Sequence, residues 1–477
     1  MRRVLGGTPR QLALLTVGLI VLGAVLGLLY ALGLGSDSAS FTALKAHTGE
    51  VSATSDLYYE LNDMDAQAAN ALLVGYHPAD PSIVPAAVNA TSSASAYEHD
   101  RVDADADLEQ IARNPALAGQ AEKLLDDLGS YEALIAQALY VDQQAEHELP
   151  AAPPPAALAS YTQASAMLHA SLLPTSLQIA DADSAAVDAS YAGQRSGAEA
   201  YGYAIGALAL LAAAALALGN RYHARRFRRR VSLLAVGALV SLALGAMGLS
   251  AQLDAADRLH YAKQEAYDSI NALTRAKAVS DDANADESRW LLARTAALQA
   301  SFFSKISTVA GVPGVSGTGA GSDPQAYYTG LATAVGAVKL DVASDSVSGV
   351  RLTGYLGTEL DNITFTGEAQ AAYEATRAFN TYLQDDATIR SDAGGGNLAA
   401  AVAFDIGTAP GQSNYAFNQY MAKLGAVIAI NDAAFASGIA AGLGGSGADA
   451  WATLTVGELL LLACIAQAGY LRLREYR

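Results

Sequence analysis

The stretch YGYAIGALALLAAAALALGNRYHARRFRRRVSLLAVGALVSLALGAMGL, Tyr201 to Leu249, decides how the rest of the chain is read. Two apolar runs, Tyr201 to Leu218 and Val231 to Leu249, enclose an arginine-rich connection, and neither run holds a charged side chain. A hydrocarbon core of about 30 Å takes roughly 20 apolar residues to cross, so the pair reads as a transmembrane hairpin. Arg221, Arg225, Arg226, Arg228, Arg229 and Arg230 lie between the runs in a loop too short to fold alone. Short basic loops stay on the cytoplasmic side, which orients the whole chain.

Two further spans pass the same test. Leu12 to Leu34 follows Arg2, Arg3 and Arg10, and Trp451 to Leu471 precedes Arg472, Arg474 and Arg477. Both termini and the central loop are therefore expected inside, in a multi-pass protein of the plasma membrane. The first apolar run exceeds the roughly 7 to 15 residues of a signal peptide, so it reads as an uncleaved anchor; cleavage near Ser38 or Ser40 is the alternative.

These assignments divide the chain. Residues 1–11 form a cytoplasmic tail, 12–34 the first span, 35–200 an extracytoplasmic helical domain and 201–218 the second span. The basic loop takes 219–230 and the third span 231–251. A second extracytoplasmic domain takes 252–449, the last span 450–471 and a short tail 472–477. The two external segments carry 45 of the 47 acidic and 17 of the 29 basic residues, a balance of -28 within a chain of net charge -18. Nucleic acid is disfavoured as a partner, because phosphate contacts need the opposite sign. The one cysteine, Cys464, lies in the last span, so the external domains must hold together by packing alone.

Helical packing suits that requirement. Leu57, Leu61, Met64, Ala68 and Leu72 recur at the three- and four-residue spacing of a helix face, ahead of a proline turn at Pro78, Pro81 and Pro85. Further helices are expected over Ala94 to Arg113 and Ala118 to His147, parted at Asn114 and Pro115, with Pro150 and Pro153 to Pro155 as a stiff connector. A helix from Ala156, broken at Pro174, leads into the second span. In the other half Leu259, Ala262, Ala266, Ile270, Leu273 and Ala276 provide a packing face.

The second half resembles the first. At a displacement of 219, NDMDAQAANALL (Asn62 to Leu73) meets DDANADESRWLL (Asp281 to Leu292); at 250, SGAEAY (Ser196 to Tyr201) meets SGADAW (Ser446 to Trp451). An internal duplication accounts for both, with an insertion in the second copy placed at Ala310 to Val350, where GVPGVSGTGAGSDP has the composition of a mobile loop. The expected fold is all-α: four transmembrane helices and two extracytoplasmic four-helix-bundle-like domains.

Catalytic signals are weak. The seven histidines are scattered without metal-ligand spacing, and DADAD (Asp103 to Asp107) lacks the glycine and glutamate of a calcium loop, so it reads as a solvated helix face. No cofactor, metal site or catalytic residue is assigned. Glu458 is the exception within the spans, a carboxylate that is costly in hydrocarbon and thus either functional or glue between helices. Gly23 and Gly27 form a GxxxG that permits close helix approach.

At DANADESRWLL (Asp282 to Leu292), ELDNITFTGE (Glu359 to Glu368) and GQSNYAFNQY (Gly411 to Tyr420) the chain resembles the GlnX type of actinobacterial membrane protein. That resemblance implies a relay. An extracytoplasmic amino-acid-binding lipoprotein (GlnH) contacts the membrane protein, which signals to a soluble Ser/Thr kinase (PknG) inside. Arg289, Trp290, Asn362, Glu368, Asn414 and Tyr415 are then candidate partner contacts, expected to be exposed, although the apolar area of Trp290 also suits a core. The expected function is a non-enzymatic sensor. A transporter or channel subunit and a receptor binding a small molecule directly are the alternatives, and a homo-oligomer is left open.

Overall fold

The computed structural model describes residues 8–75, 90–149, 151–228, 230–315 and 323–475. The fold is all-α, apart from one short hairpin. In chain order the helices are α1 (Thr8–Val74), α2 (Ala90–Ala112), α3 (Ala118–Gln144), α4 (Pro155–Met167), α5 (Leu173–Phe227), α6 (Ser232–His260) and α7 (Asp268–Ala293). There follow α8 (Ala296–Val309), α9 (Pro324–Ala337), the hairpin β1 (Lys339–Asp341) and β2 (Ser346–Ser348), α10 (Gly354–Asp361), α11 (Glu368–Gly394), α12 (Leu398–Asp405), α13 (Ser413–Gly445) and α14 (Ala448–Arg474). The chain forms two compact units: Met1–Ala46, Ala186–Gln264 and Phe435–Arg477 make the first, His47–Ala185 and Glu265–Ala434 the second.

The first unit gathers four helical segments long and apolar enough to cross a membrane. Its core joins Leu26, Tyr30, Ile205, Leu216, Leu234, Leu244, Leu461 and Ile465. Leu14, Val17, Val21, Val25, Leu28 and Leu32 on α1, like Leu459 and Leu460 on α14, point outward and are exposed. Helices apolar on both faces fit a lipid surround. Small residues let the backbones approach: a side chain on Gly245 would run into Ala209, one on Gly23 would press Leu462, and one on Gly27 would meet the Glu458 carboxylate. The GxxxG of α1 is thus used within the chain. At its far end α5 stays helical through Arg221, Arg225 and Arg226, so the connection is shorter than expected. Arg228 turns it in the left-handed region (φ 51°), and the Val231 amide donates to Asn220 Oδ1 at 2.9 Å. Arg221, Arg225, Arg226, Arg228 and Arg230 are exposed, while Arg229 lies outside the described residues.

Among its described residues the second unit holds three apolar cores. One is built wholly from the 53–179 segment and includes Leu57, Leu61, Met64, Ala68 and Leu72, all five of the expected stripe. Another lies in the 273–427 segment around Phe303, Tyr327, Phe379, Tyr382 and Tyr420. A third is shared, joining Leu73, Val74 and Leu149 to Leu291, Ile389, Val402 and Ile406. The two segments therefore keep separate cores and also fuse into one body.

Several local expectations need revision. Pro174 does not break its helix: the chain widens into a π-helical turn at Leu168–Leu172 and then continues as α5. Such a turn shifts the carbonyl that the proline ring would strike, so the missing N–H is tolerated. The expected break at Asn114 and Pro115 is present, with Asn114 Oδ1 accepting from the Ala116 amide at 3.0 Å. Residues 316–322, the heart of the proposed mobile loop, and the turn at Pro78, Pro81 and Pro85 lie outside the described residues. Around them the insertion is ordered: Gly311 and Thr353 exchange both backbone hydrogen bonds at 2.9 Å, and α9 and the hairpin fill most of the rest.

Candidate functional site

The DANADESR stretch of α7 is where polar chemistry concentrates. From Ser280 to Arg289 every residue is buried, although the run contains Asp281, Asp282, Asp286, Glu287 and Arg289. Charges are rarely buried without partners, because desolvation costs several kcal/mol per ion. The partners come from both segments. Arg289 Nε donates to Asp65 Oδ2 at 2.6 Å, and its Nη1 reaches Asp286 at 2.7 Å and Asp282 at 3.2 Å. Asp65 also accepts from Tyr131 (3.1 Å), Tyr161 (2.9 Å) and Ser165 (3.3 Å). Lys305 closes the network on Asp282 and Asp286 at 2.7 and 2.6 Å.

Electrostatics in this node keep Asp282 ionised. Burial alone would raise the Asp282 carboxyl, but Lys305, His169 and Arg289 together hold it far below the usual carboxylate range. His169, Asp282 and Asp286 could jointly reach a metal ion. Both carboxylates, however, are already taken by Lys305 and Arg289, so the cluster is an ion-pair network.

The two stretches that match at a displacement of 219 face each other here. Tyr58 donates to Asp282 at 3.4 Å, Ser288 to Asn70 at 2.8 Å and Arg289 to Asp65, pairs 224, 218 and 224 residues apart. On the opposite side of α7, Tyr382 donates to Glu287 at 3.2 Å and Ser288 to Asp405 at 3.3 Å. Arg390 pairs with Asp386 at 3.0 Å and stacks 4.6 Å from the rings of Trp290 and Phe302.

A polar cavity of about 250 Å³ opens along this seam. Tyr59, Asp63, Gln67 and Asn70 line it from α1, Ser93 and Ala96 from α2, Asp281 and Asn284 from α7, and Thr408, Asn414 and Asn418 from the connection into α13 and its first turn. Two of its acceptors, Asp281 Oδ2 and Asn284 Oδ1, find no hydrogen-bond donor among the described residues. Burial and the neighbouring Asp63 and Asp282 carboxylates push Asp281 well above its ordinary range, and Lys277 only partly offsets them. Asp63 is raised by burial, and Asp100 is pushed up to about 8 by burial with Asp63 and Asp103 beside it. A second cavity, of about 340 Å³, lies beside Tyr161, Ser165, His169 and Arg289.

The candidate contact residues fall into different places. Arg289 and Glu368 are buried, contrary to the exposure expected of them, because each meets partners distant in sequence. Glu368 accepts from the Thr364 and Phe365 amides at 2.7 and 2.9 Å and from Asn431 Nδ2 at 2.7 Å, anchoring the start of α11. Trp290 is half-buried against the shared core. Asn362 is exposed and donates to Ser269 at 3.1 Å, Asn414 lines the seam cavity, and Tyr415 is half-buried. Glu458 is half-buried on Gly27, with neither carboxylate oxygen hydrogen-bonded among the described residues. Asp65, Asp281, Asn284 and Lys305 were missed as site residues. The polar DDANADES run inside a helix, Asp281 to Ser288, is the available signal for the middle two, since so many acids in succession cannot all reach water once that helix is packed.

No curated protein and no solved structure matches the chain. A family model described as an actinobacterial sensor domain matches residues 40–192, a stretch that includes the α1 and α2 walls of the cavity and Asp65 of the ion-pair node. With the four apolar helices, that match supports a sensor-type actinobacterial membrane protein.

Proposed function

We propose that the chain is a non-enzymatic membrane sensor whose second unit lies outside the plasma membrane and receives a small polar ligand. The change is passed inward to a cytoplasmic partner such as a Ser/Thr kinase, which meets the arginine segment Arg221 to Arg230. The observation that carries direct reception is the seam cavity, lined from both halves of the second unit and left with acceptors that lack donors among the described residues. Sites for small molecules are concave and combine an apolar wall with a few convergent polar groups. The sensor-domain match over 40–192 covers part of the same wall. Calorimetry of the full-length protein in lipid nanodiscs, titrated with small polar metabolites and no added protein, tests it; saturable heat is expected, and its absence across the panel refutes direct reception.

A relay is the second reading, favoured by the resemblance at Asp282 to Leu292, Glu359 to Glu368 and Gly411 to Tyr420. In it an amino-acid-binding lipoprotein brings the ligand and docks on the second unit. Crosslinking in whole cells separates the two, because only the relay requires an external protein partner for the response. A transporter reading rests on Glu458 alone, and Glu458-dependent solute flux into liposomes would be needed to revive it.

A further inference from the structure

The seam cavity has a specific chemical bias, and the inference drawn from it rests on the direct-reception reading above. We propose that this cavity binds a small ligand through its protonated amine, which Asp281, Asp63 and the amide oxygen of Asn284 receive. At about 250 Å³ the space lies just below the ~300 Å³ at which sites for drug-sized molecules begin, so it suits a small metabolite. Two of its acceptors are left over: Asp281 is 1% exposed and Asn284 7%, yet Asp281 Oδ2 and Asn284 Oδ1 have no donor among the described residues. A buried acceptor without a donor is costly, and a ligand with several N–H groups removes that cost.

Charge points the same way. Glu60 and Asp63 face the region from α1, Asp100 and Asp103 from α2, and Asp281, Asp282 and Lys277 from α7. The fourth wall, Thr408, Asn414 and Asn418, brings amides and a hydroxyl but no charge. Asp282 is held by Lys305 and Arg289, and Lys277 sits over the Tyr59 ring at 4.0 Å, so carboxylates outnumber the cations close to them. The surplus favours the protonated acids, the direction in which Asp63, Asp100 and Asp281 are all shifted. An incoming ammonium group then displaces a carboxyl proton to solvent and leaves a charge-assisted N–H to carboxylate hydrogen bond. Gln67 Nε2 already donates to Asp63 Oδ1 at 3.1 Å, so Asn414 and Asn418 remain for the rest of the ligand, whether that is a carboxylate, as in a free amino acid, or an alkyl chain, as in a simple amine.

The test uses the full-length protein in nanodiscs, with calorimetry in two buffers of different protonation enthalpy. The probes are free α-amino acids, simple mono- and diamines, and 2-hydroxy acids as amine-free matches. Support is saturable binding of an amine-bearing probe that releases protons at pH 6.5, releases fewer at pH 9, and weakens about 10- to 100-fold in Asp281→Asn, the loss of one charge-assisted bond. Thermal melting of Asp281→Asn should stay close to the parent, since burial and the neighbouring carboxylates favour an uncharged group at this position. Amino acids against simple amines identifies the source. Equal affinity for amine and hydroxy-acid matches, or unchanged amine binding in Asp281→Asn, overturns the proposal. Binding of only neutral or anionic probes, abolished by the cavity-filling Ala96→Phe, overturns the amine assignment while leaving direct reception standing. No binding by any probe overturns both.

Discussion

Replacing Arg289 with methionine removes the one side chain that ties Asp65 to Asp282 and Asp286. Arg289 is 3% exposed, and its three carboxylate contacts are 2.6, 2.7 and 3.2 Å long. Asp282 and Asp286 keep Lys305 at 2.7 and 2.6 Å, so they stay compensated. Asp65, 0% exposed, keeps only neutral donors, Tyr131, Tyr161 and Ser165. Stranding one partner of a buried pair costs about 3–5 kcal/mol. At about 2 °C per kcal/mol for a unit of this size, the melting temperature should fall by roughly 6–10 °C. Arg289→Met with Asp65→Asn removes the stranded charge and should recover most of that loss, because replacing both members of a buried pair is often neutral. Intrinsic fluorescence is the assay, since Trp290 is the neighbouring residue and sits 4.6 Å from the Arg390 guanidinium. A single substitution costing less than about 1 kcal/mol, or a double mutant whose losses simply add, would refute the reading of the seam as a charge-compensated joint.

Other outcomes follow from the same contacts. Burial raises Glu60 to about 8, Asp100 to about 8 and Glu359 to about 9, with neighbouring carboxylates adding to each. A raised acid contributes fully while protonated in both states and loses that contribution as pH climbs from its unfolded value near 4 to its folded one, so melting temperature should decline steadily between about pH 5 and 9. A flat profile in thermal scans, or one indifferent to Glu60→Gln with Asp100→Asn, would contradict that sign. Glu368→Ala leaves the Thr364 and Phe365 amides and one N–H of Asn431 without their acceptor, while Asn431 keeps the Val427 carbonyl, and should cost about 2–4 kcal/mol by urea titration, whereas Glu368→Gln should cost less. In the first unit, Gly245→Val forces the Ala209 backbone away and should destabilise the protein in detergent by about 1–3 kcal/mol, with Gly193→Ala, which meets no neighbour, as the harmless control.

Periodicity made the apolar architecture legible. Leu259, Ala262, Ala266, Ile270, Leu273 and Ala276 are all buried as their spacing implied, even though a π-helical turn at Tyr261–Tyr267 interrupts the regular geometry among them. The four apolar runs were equally plain. The polar seam was not, since Arg289 and Glu368 look like surface residues until partners 224 and 63 residues away are known. The match between Asn62 to Leu73 and Asp281 to Leu292 singled out the right two stretches without saying that they pack on each other. Pro174 shows the limit of local rules: a π-helical turn one residue ahead of Leu173 accommodates a ring that spacing alone would read as a stop.

Labelling with a membrane-impermeant maleimide tests the central claim most directly. Cys464 is the single native cysteine and is buried, so a Cys464→Ala chain gives a clean background for single cysteines at the exposed positions Ser130, Ser344 and Arg225. In intact cells the cysteines placed at Ser130 and Ser344 should label fully and the one at Arg225 only after lysis. Labelling at Arg225 from outside, or protection of either serine position, would contradict a sensor that faces outward with its second unit and inward with its arginine segment.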